Sequence, residues 1–294
     1  MITSAGLAAG IVAVAAVSGA LVSLLAYCVP SWSRVVSIIF TALVGICVCV
    51  TTRHIQLTQS RRSRAWPSQP HSPHQTSPDE KQPTELTEDY YLFVLGSGGH
   101  TKEMLMMMDD GTRDFGATHR RYLISSGDGM SENHLEDYEA ELRTSSVAPG
   151  TYDKCIVTRA RRVHQPLWST PWTSLLSFLD IFPVLLVPPK TGAGDGDDAP
   201  KVRYPGIIFS NGPATGFFVA LAVHTLKMLG LVPEERMKFV YIESWARIST
   251  LSLTGKMLFY SGIADAFYVQ HEEVAARYGL ANAREMVFNA RRLD

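Results

Sequence analysis

Tyr90-Tyr-Leu-Phe-Val-Leu-Gly-Ser-Gly-Gly-His-Thr101 is the stretch that decides the fold. Tyr91 to Leu95 is a short apolar run rich in aromatic and β-branched residues, the composition of a buried strand. It stops at Gly96-Ser-Gly-Gly99, where positive φ is easy and no Cβ blocks a ligand. Thr101 reads as the N-cap of a helix through Asp109, with Glu103 in the first turn and apolar residues at helical spacing behind it. Strand, glycine turn and helix N-terminus together present backbone N–H groups to a phosphate.

The same alternation continues from residue 89 onward. Strands are predicted over Arg120–Ser125, Tyr152–Thr158, Gly206–Ser210, Lys238–Glu243 and Ala266–Gln270. Helices are predicted over Met130–Leu142, Ser174–Leu186, Ala214–Leu229 and Leu251–Tyr260. Six strands alternating with helices imply a Rossmann-like, doubly wound parallel α/β sheet with right-handed crossovers. Ligands of such sheets bind beyond the carboxyl ends of the strands. Lys190-Thr-Gly-Ala-Gly-Asp-Gly-Asp-Asp-Ala-Pro200 reads as a polar surface insertion, because its acidic spacing does not match an EF-hand loop.

The N-terminal part has a different composition. Residues 6 to 28 contain no charge and are long enough for a hydrocarbon core, which takes roughly 20 helical residues. A second apolar stretch runs from Val35 to about Thr51. A cleaved signal peptide is disfavoured for the first, since it lacks a basic start and its apolar run is long. Arg53, His54, Arg61, Arg62 and Arg64 follow the second stretch and favour a cytosolic side. Residues 59 to 88, rich in Pro, Ser, Gln and charge, cannot bury enough apolar surface to order themselves. His71 and His74 lie there without partners for a metal. The expected layout is a membrane anchor at 1–52 with one or two spans, a disordered linker at 53–88 and a cytosolic α/β domain at 89–294.

Composition excludes other classes. With 27 Lys and Arg against 28 Asp and Glu, a net charge of −1 argues against nucleic-acid binding. Cys28, Cys47, Cys49 and Cys155 show neither metal-site spacing nor a disulfide framework. No metal or cofactor is expected.

Three strand ends carry the candidate site. The Gly96–Thr101 turn is not a P-loop, for no Gly-Lys-Ser/Thr follows, and it lacks the G-x-G-x-x-G spacing of a dinucleotide fingerprint. His100 in it reads as a general base, a phosphate ligand or a helix-start residue that bonds the turn. Ser210-Asn-Gly-Pro213 follows a strand and precedes a helix, so it is either a well-made turn or a second wall of the same crevice. In Glu243-Ser-Trp-Ala-Arg247, Glu243 and Arg247 suit an i,i+4 helical pair or, at a strand end, sugar hydroxyls and a diphosphate. Trp245 reads as packing. Arg159-Ala-Arg-Arg-Val-His-Gln-Pro-Leu-Trp-Ser-Thr-Pro-Trp172 mixes basic and aromatic residues before an apolar helix. With membrane spans in the chain, contact with anionic lipid heads outweighs a nucleic-acid patch or a plain solvated loop.

Val94-Leu-Gly-Ser-Gly-Gly-His-Thr-Lys-Glu-Met104, the Ser-Asn-Gly-Pro turn and Tyr241-Ile-Glu-Ser-Trp-Ala-Arg-Ile-Ser-Thr-Leu-Ser-Leu-Thr-Gly-Lys256 together resemble one family. It is the membrane-anchoring subunit of the endoplasmic-reticulum UDP-N-acetylglucosamine transferase of asparagine-linked glycosylation, and the likeness covers residues 89 to about 271. The resemblance implies the N-terminal, acceptor-side lobe of a split B-type glycosyltransferase. A separate soluble subunit would bring the UDP-sugar. Together they would add the second N-acetylglucosamine to dolichyl-diphosphate-N-acetylglucosamine at the cytosolic face.

The first turn also resembles the glycine-rich loop of the bacterial lipid-linked peptidoglycan transferase. By that resemblance Gly96, Ser97, Gly98, Gly99, His100 and Thr101 lie at the acceptor diphosphate. Asn211 and Gly212 line the cleft, Arg247 is nearby, and His100 and Glu243 are the catalytic candidates. The C-terminal tail, Glu285–Asp294, departs from the family by ending in polar residues after Met286-Val-Phe288. The rival expectations are a pure membrane scaffold for the soluble subunit, and a self-sufficient nucleotide-binding enzyme.

Overall fold

The apolar run at Tyr91 forms the strand on which the sheet is built. In the computed structural model β1 (Tyr91–Val94) is buried along its whole length and pairs in parallel with β2 (Arg120–Ser125) and β4 (Ile207–Ser210). β3 (Tyr152–Val157) lies outside β2, and β5 (Lys238–Ile242), β6 (Ala266–Val269) and the two-residue β7 (Ala281–Asn282) continue beyond β4. The order is β3-β2-β1-β4-β5-β6-β7, every pair parallel. The structure describes residues 16–24, 31–63, 90–109, 118–145, 149–160, 165–189, 203–212 and 214–283.

A parallel sheet needs cover on both faces, which is why β1 reads as a continuous apolar run. On one face α5 (Thr170–Leu186), α6 (Ala214–Met228) and α7 (Leu253–Ser261) bring Ile181, Leu185, Val219, Val223 and Leu258 onto Leu92, Val94, Ile208 and Tyr241. On the other, α3 (Gly99–Met108) and α4 (Gly129–Ser145) bring Met104, Met108 and Leu135 onto Phe93, Leu95, Tyr122 and Ile124. The doubly wound α/β expectation holds.

Two arginines open the buried strand β2. Arg120, fully buried, donates from Nε and one terminal nitrogen to Glu139 on α4, each at 2.8 Å, and Tyr122 donates to the same carboxylate at 2.6 Å. Burial alone would favour a neutral Arg120; its bonds to Glu139 prevail and raise its pKa. Arg121 and His119 share Asp153 on β3. These pairs staple β2 to α4 and to β3.

The structure redraws several boundaries. Helix α3 begins at Gly99 with Gly98 as its N-cap, so Thr101 lies inside the first turn and Glu103 beyond it. Gly98 takes φ 61°, a conformation glycine adopts without strain. Residues 243–252 are not helical; α7 starts at Leu253, where Ser252 accepts from the Gly255 N–H as an N-cap. Strand β7 makes a seventh beside the six expected, and helix α8 (Glu272–Tyr278) precedes it.

The chain divides into two compact units, Met1–Arg64 and Ala65–Asp294. In the first, residues 16–24 are helical (α1) and α2 spans Ser31–Ser63. Helix α2 is long and apolar enough to cross a membrane, and runs past the expected end at 52 to finish on Arg61 and Arg62. A Cβ at Gly45 would lie 3.3 Å from the Ser18 hydroxyl, so the absence of a side chain there lets α1 and α2 approach closely. Residues 53–63 of the expected linker are helical, and its remainder to 88, most of the first apolar stretch, the 190–200 insertion and the tail after 283 lie outside the described residues.

Candidate functional site

Register brings two of the three strand ends together. Val94 pairs with Ser210, so the glycine turn after β1 and the Asn211-Gly212 turn after β4 leave the same edge side by side. Helix α3 follows β1 on one face of the sheet and α6 follows β4 on the other. This reversal is the switch point where doubly wound sheets open a crevice.

The glycine turn is fixed from behind. The Thr101 side chain is buried, and its hydroxyl donates back to the Gly96 carbonyl. Ser131 of α4 donates to that same carbonyl at 2.9 Å. Thr101 therefore shapes the turn from inside. Ser97 and Gly99 remain exposed at the front. The first N–H groups of a helix have no intrahelical acceptor, and no side chain caps α3.

His100 is gripped by the second turn. Asn211 donates from Nδ2 to the His100 carbonyl at 2.9 Å, and Gly212, at φ 114°, passes under the imidazole. His100 Nδ1 is buried without a hydrogen bond, 3.7 Å from Glu103 Oε2. Asn211 Oδ1 is likewise buried and unbonded. Buried polar groups are ordinarily bonded, so these two mark the edge as a candidate site.

The third strand end closes the cleft. The Glu243 carboxylate is buried and accepts from the Ser252 N–H at 3.0 Å, the Ser252 hydroxyl at 3.1 Å, the Ser244 N–H at 3.2 Å and the Tyr241 hydroxyl at 3.3 Å. A Cβ on Gly255 would collide with it. Glu243 therefore organises the 243–252 loop. The helical Glu243–Arg247 pair is not formed; Arg247 is exposed and lines the cleft with His100 and Gly212.

One residue that the sequence reading left as a helix-start carboxylate joins all of this. Glu103 of α3 accepts from the Trp245 N–H at 2.7 Å, from the Ser244 hydroxyl at 3.1 Å and from Gln270 after β6. Burial pushes its carboxyl up, but His100, the Trp245 N–H, Gln270 and Ser244 outweigh this and hold it below its ordinary value of 4.5. Gln270 also donates to the Glu243 carbonyl at 2.8 Å. The only local hint was an acidic residue three positions after the histidine, on the same helix face.

Two recesses adjoin at His100, Ser244 and Ala246. One of ≈ 310 Å³ is mixed in character, with Arg247, Leu253 and Thr254; the other, of ≈ 650 Å³, is mostly apolar, with Met106 and Trp245. Among the described residues no three His, Cys, Asp or Glu side chains converge as a metal site requires.

Comparison with known proteins fits this geometry. The family model described as oligosaccharide biosynthesis protein Alg14 like matches residues 91–286. The chain belongs to the Alg14 family. Similar Alg14 relatives include the UDP-N-acetylglucosamine transferase subunit ALG14 of Candida albicans, 35% identical over 67% of this chain and 78% of that one. The Schizosaccharomyces pombe subunit is 34% identical over 65% and 80%, and the human subunit 32% identical over 64% and 77%. No solved structure matches the chain. The Alg14 match begins at β1 and includes all seven strands and all three strand-end turns.

Proposed function

We propose that this chain is the membrane-anchored, acceptor-binding subunit of a UDP-N-acetylglucosamine transferase. The reaction adds the second N-acetylglucosamine to dolichyl-diphosphate-N-acetylglucosamine at the cytosolic face of the endoplasmic reticulum. A separate soluble subunit supplies the UDP-sugar, and this chain alone does not turn over.

The observation that carries the reading is the uncapped N-terminus of α3 at the switch point, in a chain of this family. The acceptor diphosphate lies against Gly96–Gly99, where backbone N–H groups and the helix dipole favour an anion. Arg247, on the far side of the cleft, adds a planar cation suited to phosphate or sugar oxygens. His100 takes the proton of the acceptor hydroxyl as that oxygen bonds the donor's anomeric carbon and the UDP oxygen leaves. Glu103 and Gly212 position the ring. The buried Glu243 positions the loop rather than touching substrate. That burial favours the pure-scaffold reading over a two-residue catalytic pair, but leaves His100 unexplained.

The decisive measurement co-expresses this chain with the soluble subunit and follows transfer from UDP-N-acetylglucosamine to a short-chain lipid diphosphate acceptor. Transfer requires this chain. Indifference to it overturns the assignment, and full activity of His100→Ala in an intact complex leaves only the scaffold.

A further inference from the structure

Helix α5 is apolar on two opposite faces. Ile181 and Leu185 are buried in the core, with Phe178 and Phe182 packed partly against it. Trp172, Leu175, Leu176 and Leu179 recur at i, i+3, i+4 and i+7 on the other side and are exposed by 66%, 46%, 39% and 53%. Trp168, just before the helix, is exposed by 85%. A helix that is hydrophobic all round is normally enclosed on every side. The single charged residue of α5, Asp180, is bonded by Thr158 of the neighbouring connection. An apolar stripe of this length on a free surface marks an interaction site.

We infer that this face of α5 lies in the lipid–water interface of the membrane that holds the chain. Three observations select lipid over protein. The same chain carries a helix fit to cross a bilayer, so a membrane surface is always within reach. The stripe begins with two tryptophans, the side chain that prefers the headgroup level. In sequence, Arg159-Ala-Arg-Arg-Val-His164 precedes it, and cations close in sequence to an apolar segment complement anionic headgroups.

The orientation has a use. Thr173 and Ser174, near the start of α5, donate to the carbonyl of Ala160, beyond the carboxyl end of β3. At the far end, the Val184 and Val187 carbonyls accept from Arg121, at the start of β2. Trp168 to Leu179 therefore flank the same sheet edge as the glycine turn and the cleft. Docking this face holds the first half of α5, and with it that edge, close to the bilayer surface. The inference rests on membrane anchorage and on this face, and not on the identity of the acceptor.

The test uses the full chain reconstituted in phosphatidylcholine vesicles with and without phosphatidylserine, its four cysteines replaced. An environment-sensitive dye is placed by Trp172→Cys and, as control, by Asp137→Cys on the opposite side of the sheet. At 172 the dye emission shifts to the blue and brominated lipid quenches it by roughly twofold, more strongly with phosphatidylserine, while the dye at 137 stays aqueous. Leu175→Ser with Leu179→Ser, both exposed, reduces the quenching at 172 while α2 keeps the protein on the vesicles. An aqueous signal at 172 overturns the proposal. So does protection that appears only when the soluble transferase subunit is added, or only as protein density in the vesicle rises, which assigns the face to that subunit or to a second copy. Unchanged transferase activity with lost quenching separates this inference from the acceptor assignment.

Discussion

Gly212 passes so close under His100 that a Cβ at that position would lie 2.8 Å from the imidazole Nδ1. A turn after β4 thus sets the height of a ring carried by α3, and neither group can move without the other. The backbone at 212 also has φ 114°, which side chains rarely tolerate. Gly212→Ala is expected to displace the ring and cost about 1–3 kcal/mol of stability. With the partner subunit bound, transfer should fall more than tenfold while thermal unfolding still shows one cooperative transition.

His100 and Glu243 should separate cleanly. His100→Ala removes a partly exposed ring with an unbonded nitrogen, so stability changes by about 1 kcal/mol or less while transfer falls by roughly two orders of magnitude. Glu243→Ala strands four donors and should cost about 3 kcal/mol or more. Urea unfolding of each variant, read beside its activity, distinguishes the two roles.

Glu103→Gln tests the clamp between α3 and the 243–252 loop. Its carboxylate is held below its ordinary value of 4.5, so the clamp is at full strength above that pH and is lost as pH falls through the lower folded value. The variant should be less stable by about 1–3 kcal/mol near neutrality. The gap to wild type should narrow on acidification. Hydrogen exchange at Ser244 and Trp245 should speed up in the variant. A gap that widens in acid would count against the carboxylate as the clamp.

Gly255→Ala goes against simple helix propensity, which favours alanine by about 1 kcal/mol. The new Cβ would meet the Glu243 carboxylate, so the substitution should destabilise. Pairing it with Glu243→Ala should relieve part of that cost, a coupling that a double-mutant cycle reads directly.

Arg120 and Glu139 form a fully buried pair between β2 and α4. Removing one partner leaves an uncompensated charge, so Glu139→Leu alone should cost about 3–5 kcal/mol. Arg120→Met with Glu139→Leu should cost clearly less than either single change. Denaturant midpoints of the three variants decide it.

The sheet was legible chiefly from β1 and β4, short apolar runs closed by a glycine turn and an Asn-Gly turn, a local signal that tertiary packing reinforced. The positions of the turns at one edge followed from the alternation itself. What stayed illegible was chiefly long-range. Ser131 supports Gly96 from 35 residues away, and Glu103 reaches Trp245 across 142. No spacing rule connects such pairs. Thr101 misled for a definite reason: serine and threonine favour N-caps, yet here the hydroxyl is drawn inward to Gly96 and a glycine takes the cap. Glu243 and Arg247 sit four apart, but the loop between β5 and α7 denies them a helix.

The carboxylate of Glu243 sits where helix α7 begins, held by the backbone and side chain of Ser252. The protein has thereby placed its own anion at a helix start that lines the cleft. That positive end is spent internally, and a second phosphate there would meet a resident negative charge. The start of α3 carries no such side chain. The two helix starts therefore differ electrically: the one after β1 is open to an anion, and the one after β5 already holds a carboxylate, with the Arg247 cation beside it. A ligand charged at one end and neutral at the other has one favoured direction in which to lie.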